Sequence, residues 1–234
     1  MNTLTDEWNA LRGKAKVGIC LAFSDTPRTP AENIIIEEFL RKTLPLTAEL
    51  DSDGEIEFFS FDSGTSYLDP MFPPVNQVAI DKLVIGKETG ATDYAKAFSA
   101  VRNYYDLFPA HQNAGIFKPI RRPNSSEVAS SDIPVYMVFL TNGDPASDRE
   151  AELMLNEVSS VPIFWKFFSI GPQPVKFLQH LDDLTYRFTN NADYKYLGDD
   201  PNLLKEDALR SYLLDEFPAW LREAHDTGIL IDKQ

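Results

Sequence analysis

Three short stretches place hard oxygen donors where an apolar run stops. Ser24-Asp25-Thr26 follows Val17–Phe23, Thr92-Asp93 follows Gly90-Ala91 ahead of an amphipathic segment, and Thr141-Asn142-Gly143-Asp144 follows Ile133–Leu140. Hydroxyl, amide and carboxylate oxygens are the ligands a hard divalent cation takes, and also the acceptors that hydrogen-bond a partner. Ser24, Asp25, Thr26, Thr92, Asp93, Asn142 and Asp144 are therefore the candidate binding residues. Each has a plainer alternative: Ser24 and Thr26 can satisfy loop backbone groups, Thr92 can cap a helix, and Asn142-Gly143 and Asp144-Pro145 suit turns.

Other chemistries find little support. His111, His180 and His225 have no zinc-ligand spacing, and there is no G-x-S-x-G, no P-loop and no G-x-G-x-x-G. Cys20 lies inside an apolar run, where a thiol is expected to be buried and inert. No catalytic residue is assigned and the chain is read as a non-enzyme; an unrecognised enzyme site in the same crevice is the alternative. Asp51-Ser52-Asp53-Gly54 echoes a calcium loop but lacks its later ligands and is read as a turn. With 22 basic and 36 acidic residues the net charge is −14, which disfavours nucleic acid and anionic membrane as partners. The single cysteine and an N-terminus without basic and apolar signal regions lead to the expectation of a cytoplasmic protein.

The elements that would position these groups follow from periodicity. Val17–Phe23 and Ile133–Leu140 are apolar throughout, the pattern of strands buried on both faces, and are expected to lie adjacent, parallel and central. Glu55–Phe61 and Val161–Ile170 are further strands, Tyr67–Leu68 a short edge strand, and Leu184–Phe188, which alternates, an outer strand. Helices are predicted over 1–13, after Thr29-Pro30-Ala31-Glu32 with a capping box and a kink at Pro45, from Tyr94, from Ser147 with Glu150 as a second capping box, around Val175–Leu181, and over Asp207–Ala224 with a division at Pro218. Residues 109–132 read as a long mobile loop with a basic island at Lys118, Arg121 and Arg122. Strands alternating with helices predict one domain over 1–234, an α/β doubly wound, mostly parallel six-stranded sheet with helices on both faces. Ligands in such sheets bind outside the carboxyl ends of the strands, where the three candidate loops fall.

The order of those loops resembles the von Willebrand factor A family, and the closest likeness is to its tellurium-resistance-associated bacterial branch. The resemblance runs from Lys16 to Leu230 and is carried by Asp53-Gly54-Glu55-Ile56, Gly90-Ala91-Thr92-Asp93-Tyr94-Ala95, Pro162-Ile163-Phe164-Trp165, Phe188-Thr189-Asn190-Asn191-Ala192, and Leu214-Asp215-Glu216-Phe217-Pro218-Ala219-Trp220-Leu221 through Gly228-Ile229-Leu230. It implies a non-catalytic protein-interaction module and a metal-ion-dependent adhesion site built on D-x-S-x-S, a threonine and T-D-G. Here Ala22 replaces the leading aspartate and Asn142 the aspartate of T-D-G, while Ser24, Thr26 and Thr92 keep their hydroxyls. The expectation is a degenerate site with no cofactor and a protein partner in a stress-response setting. The alternative is magnesium held with Asp25, Asp93 or Asp144 as replacement carboxylate.

Overall fold

The computed structural model describes residues 3–22, 30–61, 66–71, 92–108, 123, 128–198, 200 and 205–232. The elements are α1 (Thr3–Leu11), β1 (Lys16–Ala22), α2 (Pro30–Leu50), β2 (Ile56–Phe61), β3 (Ser66–Met71), α3 (Tyr94–Tyr104), β4 (Val135–Thr141), α4 (Asp148–Val158), β5 (Ile163–Ser169), α5 (Lys176–Asp182), β6 (Ala192–Tyr196), α6 (Glu206–Leu214) and α7 (Phe217–Asp226). Six strands form one sheet in the order β3-β2-β1-β4-β5-β6. All neighbours are parallel except the β2–β3 pair at one edge. The fully apolar β1 and β4 are adjacent and central, as their patterns require.

Strand alternation divides the core into two layers. Val17, Ile19 and Leu21 pack with Phe39 and Leu40 of α2 and with Leu213 and Trp220 of the C-terminal helices. Cys20 and Ala22 face the opposite layer, with Tyr94 and Phe98 of α3 and Leu155 of α4. Burial raises the Cys20 thiol well above its ordinary range, so it is a core side chain and a poor nucleophile. Gly18 shares that second face because nothing larger fits: a Cβ there would lie 2.6 Å from Met137 Sδ and 3.2 Å from Phe59 Cε2. Asp51 does the work of the expected turn, its carboxylate accepting the N–H groups of Val17 at 2.9 Å, Asp53 at 3.0 Å and Gly54 at 2.6 Å.

Two expectations change, and the division expected at Pro218 is found just ahead of it. Pro45 does not interrupt α2, which stays one helix; Pro45 is exposed while Leu44 and Leu46 are buried, so the flanking apolar contacts outweigh one missing backbone donor. Leu184–Phe188 is no strand. Its alternation comes from a loop wrapped round the buried Arg187, whose guanidinium donates to the carbonyls of Leu184 at 3.2 Å and Asp182 at 2.9 Å, and the outer strand is Ala192–Tyr196. The C-terminal helical run breaks at Asp215 and Glu216, so that Pro218 sits in the first turn of α7, where its missing N–H costs nothing.

The expected cap Thr29 and the basic island Lys118, Arg121 and Arg122 lie outside the described residues, as does most of 109–132. The end of that stretch is anchored instead of loose: Ala129 N–H donates to Ser160 C=O at 3.0 Å, and Ser131 pairs with the chain at Ile229 and Ile231.

Candidate functional site

The site is the carboxyl edge between β1 and β4. Ala22 stands opposite Thr141 in the parallel register, so the chains leaving these strands start side by side. From here β1 leads to β2 on one flank and β4 leads to β5 on the other, the reversal at which doubly wound sheets open a crevice.

Tyr94 fixes the third segment against this edge. Its buried hydroxyl donates to Gly143 C=O and lies 3.1 Å from Thr141 Oγ1, while Ala146 N–H donates to Thr92 C=O at 2.9 Å. Thr92-Asp93-Tyr94 therefore lies along residues 141–146. Burial, above all, raises the Tyr94 phenol far beyond its ordinary range, so it remains a neutral donor. From the other side, Asn142 Nδ2 donates to Glu32 Oε1 in the first turn of α2 at 3.4 Å.

Thr92, Asp93, Asn142 and Asp144 thus share one edge, with different duties. Asp93, and not Thr92, caps α3: its Oδ1 accepts Lys96 N–H at 2.9 Å and its Oδ2 lies 3.2 Å from Lys96 Nζ. Thr92 is 1% exposed and its Oγ1 has no hydrogen-bond partner among the described residues. Asp144 is exposed. Ser24, Asp25 and Thr26 lie outside the described residues. Glu32 is the group that sequence reasoning missed. Its only signal was as the far member of a capping box, which gave no reason to place it beside Asn142.

The described residues at this edge do not by themselves fit a magnesium shell of the adhesion type. Magnesium keeps several waters and is commonly held by one or two carboxylates. Ala22 is fully buried in the apolar layer beside Tyr94 and offers no oxygen, Asn142 brings an amide, and Asp93 is committed to its cap. What remains among the described residues is the carboxylates of Glu32 and Asp144 and the Thr92 hydroxyl. A buried unpaired hydroxyl costs folding free energy. Thr92→Val is expected to raise stability by about 1 kcal/mol in urea unfolding; a loss of that size would mean the hydroxyl serves the fold.

A second concentration of charge lies away from this edge. Lys166 of β5 and Asp193 of β6 stand opposite in register and form a fully buried ion pair. Ligand oxygens of Asp182, Asp193 and Glu216 all lie within 4.8 Å of one another. Asn190 Nδ2 donates to Glu216 Oε2 at 2.6 Å, and Lys195 Nζ sits 2.7 Å from Asp215 Oδ2. Burial, reinforced by Asp193 and Glu216, raises the Asp182 carboxyl from 3.8 to about 7. Its proton is then held by the folded chain and lost by the unfolded one between those two values. Stability should fall as pH rises from about 4 to about 7 and level off above that. Asp182→Asn should remove this slope and stabilise the protein at pH 8 by about 1–2 kcal/mol, the partial exposure of the carboxyl moderating the effect. Urea unfolding at pH 5 and pH 8 checks it, and equal parent stabilities at the two pH values would contradict it.

Comparison with known proteins bears on the family of the chain. Residues 14–230 match the family described as the von Willebrand factor A domain found in the TerF C terminus. The chain is 23% identical over 220 residues to the uncharacterized protein YcbR of Bacillus subtilis (strain 168), covering 94% of this chain and 83% of that one. Among solved structures it is similar to proximal thread matrix protein 1 of the mussel byssus, with a TM-score of 0.48 and 11% identity over 87% of this chain, and spans 47% of that protein's length. It is also similar to the manganese-loaded TRAP protein of Plasmodium vivax, with a TM-score of 0.46 and 14% identity over 86% of this chain and 74% of that one. The SpRpn10 VWA domain gives a TM-score of 0.47 and 8% identity over 84% of this chain and 93% of that domain. With a match that takes in nearly every element from β1 to the end of α7, the chain belongs to the von Willebrand factor A family, in the branch found at the TerF C terminus.

Proposed function

We propose that this domain is a non-catalytic protein-interaction module that binds a protein partner through its carboxyl-edge crevice without a resident metal ion, in a bacterial tellurium-resistance or stress-response system. The observation that carries this reading is that the two positions holding carboxylates in the family's metal site are Ala22 and Asn142 here, beside a buried Thr92 hydroxyl with no partner among the described residues. The edge keeps a buried hydroxyl, while the two positions that carry carboxylates in the family's metal site are neutral here, which weakens the hold on a magnesium ion. Among the described residues the titratable groups of this edge are Glu32, Asp93 and Asp144, with no nucleophile paired to a base. No helix among the described residues is long and apolar enough to cross a membrane.

The proximity of Glu32 to Asn142 favours one other reading, a magnesium-dependent module with replacement carboxylates, Glu32 joining Asp25 or Asp144. Thermal melting in excess EDTA and in millimolar magnesium separates the two. A ligand bound only by the folded state at about a hundredfold its dissociation constant adds about 2.7 kcal/mol. The metal-free reading expects superimposable melts, and a rise of several degrees in magnesium would favour the alternative.

A further inference from the structure

Asn142 is the first residue past β4 and bends with Gly143, both half-buried. Of the asparagines in the chain it alone is followed by glycine. With no Cβ on that next residue, the main-chain nitrogen after Asn142 is open to close approach. Gly143 also lies beyond Thr141, the last residue of β4 paired with β5. Its N–H donates to Thr141 Oγ1 at 3.4 Å, a long bond, while its C=O is held by the Tyr94 hydroxyl. The Asn142 amide donates to Glu32 Oε1, also at 3.4 Å, and keeps a further contact. The other described asparagines are placed differently. Asn9, Asn33, Asn103 and Asn156 lie inside helices, where the following N–H is bonded four residues back. Asn190 donates to Glu216 at 2.6 Å, and Asn191 accepts from the buried Arg187 at 3.4 Å.

We propose that Asn142-Gly143 is a self-modification site, at which the folded chain slowly loses the Asn142 side-chain amide as ammonia and gains a carboxylate. The inference does not depend on the reading of the domain as an interaction module. The Gly143 nitrogen gives its proton to solvent base and attacks Cγ of Asn142. A C–N bond forms, the Cγ–Nδ2 bond breaks, and the amide nitrogen takes up a proton and departs as ammonia. Water then opens the cyclic imide. Opening at Cγ leaves aspartate at position 142, and opening at the backbone carbonyl of that residue leaves isoaspartate. In sum an amide and a water become a carboxylate and ammonium, and nothing is oxidised or reduced. The product has an acceptor where Asn142 turned a donor to Glu32, so the hydrogen bond between the end of β4 and the first turn of α2 is lost. An aged molecule therefore carries one more negative charge at its carboxyl edge than a fresh one.

The test is peptide mapping by mass spectrometry of the full chain, aged while folded at pH 8 beside a capped peptide of residues 140–146. Asparagine should give way at position 142 to aspartate and isoaspartate together. The rate in the folded chain should lie within about tenfold of the rate in the peptide, because a bend past the end of a strand opens at little cost. Ageing in water labelled with oxygen-18 should place the label in the new carboxyl group. Gly143→Ala should slow the change by about tenfold or more, since its Cβ crowds the attacking nitrogen. Should Gly143→Ala disturb the bend, Asn142→Gln is expected to show no isoaspartate, its longer side chain closing the imide poorly. A folded rate more than tenfold below that of the peptide overturns the inference. Aspartate without isoaspartate overturns the imide route, and equal conversion at Asn33 or Asn190 overturns the choice of site.

Discussion

Lys166→Met should lower the stability of the domain by about 3–5 kcal/mol, the cost of leaving a buried charge without its partner. Lys166 and Asp193 lie on neighbouring strands with side chains 0% and 2% exposed. Asp182 and Glu216 crowd the same point, so removing the fully buried Lys166 leaves three carboxylates close together without its charge. Lys195 and Arg187 remain, but Lys195 is engaged with Asp215 and Arg187 with loop carbonyls and Asn190. Methionine keeps the length of the side chain, so the loss would report charge and not a cavity. The deficit should shrink at pH 5, because carboxyls whose ionisation is already disfavoured take up protons and cease to repel. Urea unfolding of both proteins at pH 5 and pH 8 gives the comparison. A loss under 1 kcal/mol at pH 8 would show that Asp182, Asp193 and Glu216 do not depend on Lys166.

That pair also shows where sequence reading stopped. Strands β1 and β4 were legible because an unbroken apolar run has one stable home, between two covered faces. Helix starts at Ser147 and near Tyr94 were legible because capping is local chemistry, although the cap at the second is Asp93 and not Thr92. Lys166 was not legible: one lysine within Ile163–Ser169 has the local look of an edge residue, and the carboxylates that neutralise it come from 193 and from the turn between two helices. Leu184–Phe188 imitated a strand because its residue types alternate, but Arg187, read as a solvent-facing position, is buried and bonded to loop carbonyls. At the crevice, Thr92 and Asn142 were found through strand-end position, which topology brings to one edge. Glu32 was not, since its contact with Asn142 spans 110 residues and has no local signature.

The second large effect is the return of a metal site. Ala22→Asp combined with Asn142→Asp places two carboxylates at the edge where the register sets Ala22 opposite Thr141. Ala22 is fully buried in the apolar layer, so in EDTA the double variant should be less stable than the parent by about 3 kcal/mol, the order of cost for a carboxylate buried without a partner. Magnesium should offset much of that loss, since it binds the folded state and supplies the missing positive charge. The parent lacks both groups, and Thr92 and Asn142 offer only neutral oxygens in their place.

Isothermal titration calorimetry of magnesium into the two proteins tests the central claim most directly. We expect no binding heat from the parent at millimolar magnesium and a saturable one-site isotherm from Ala22→Asp/Asn142→Asp. Tight binding by the parent, lost on Glu32→Gln, Asp25→Ala, Asp93→Ala or Asp144→Ala, would contradict the metal-free crevice and make the domain a magnesium-dependent one.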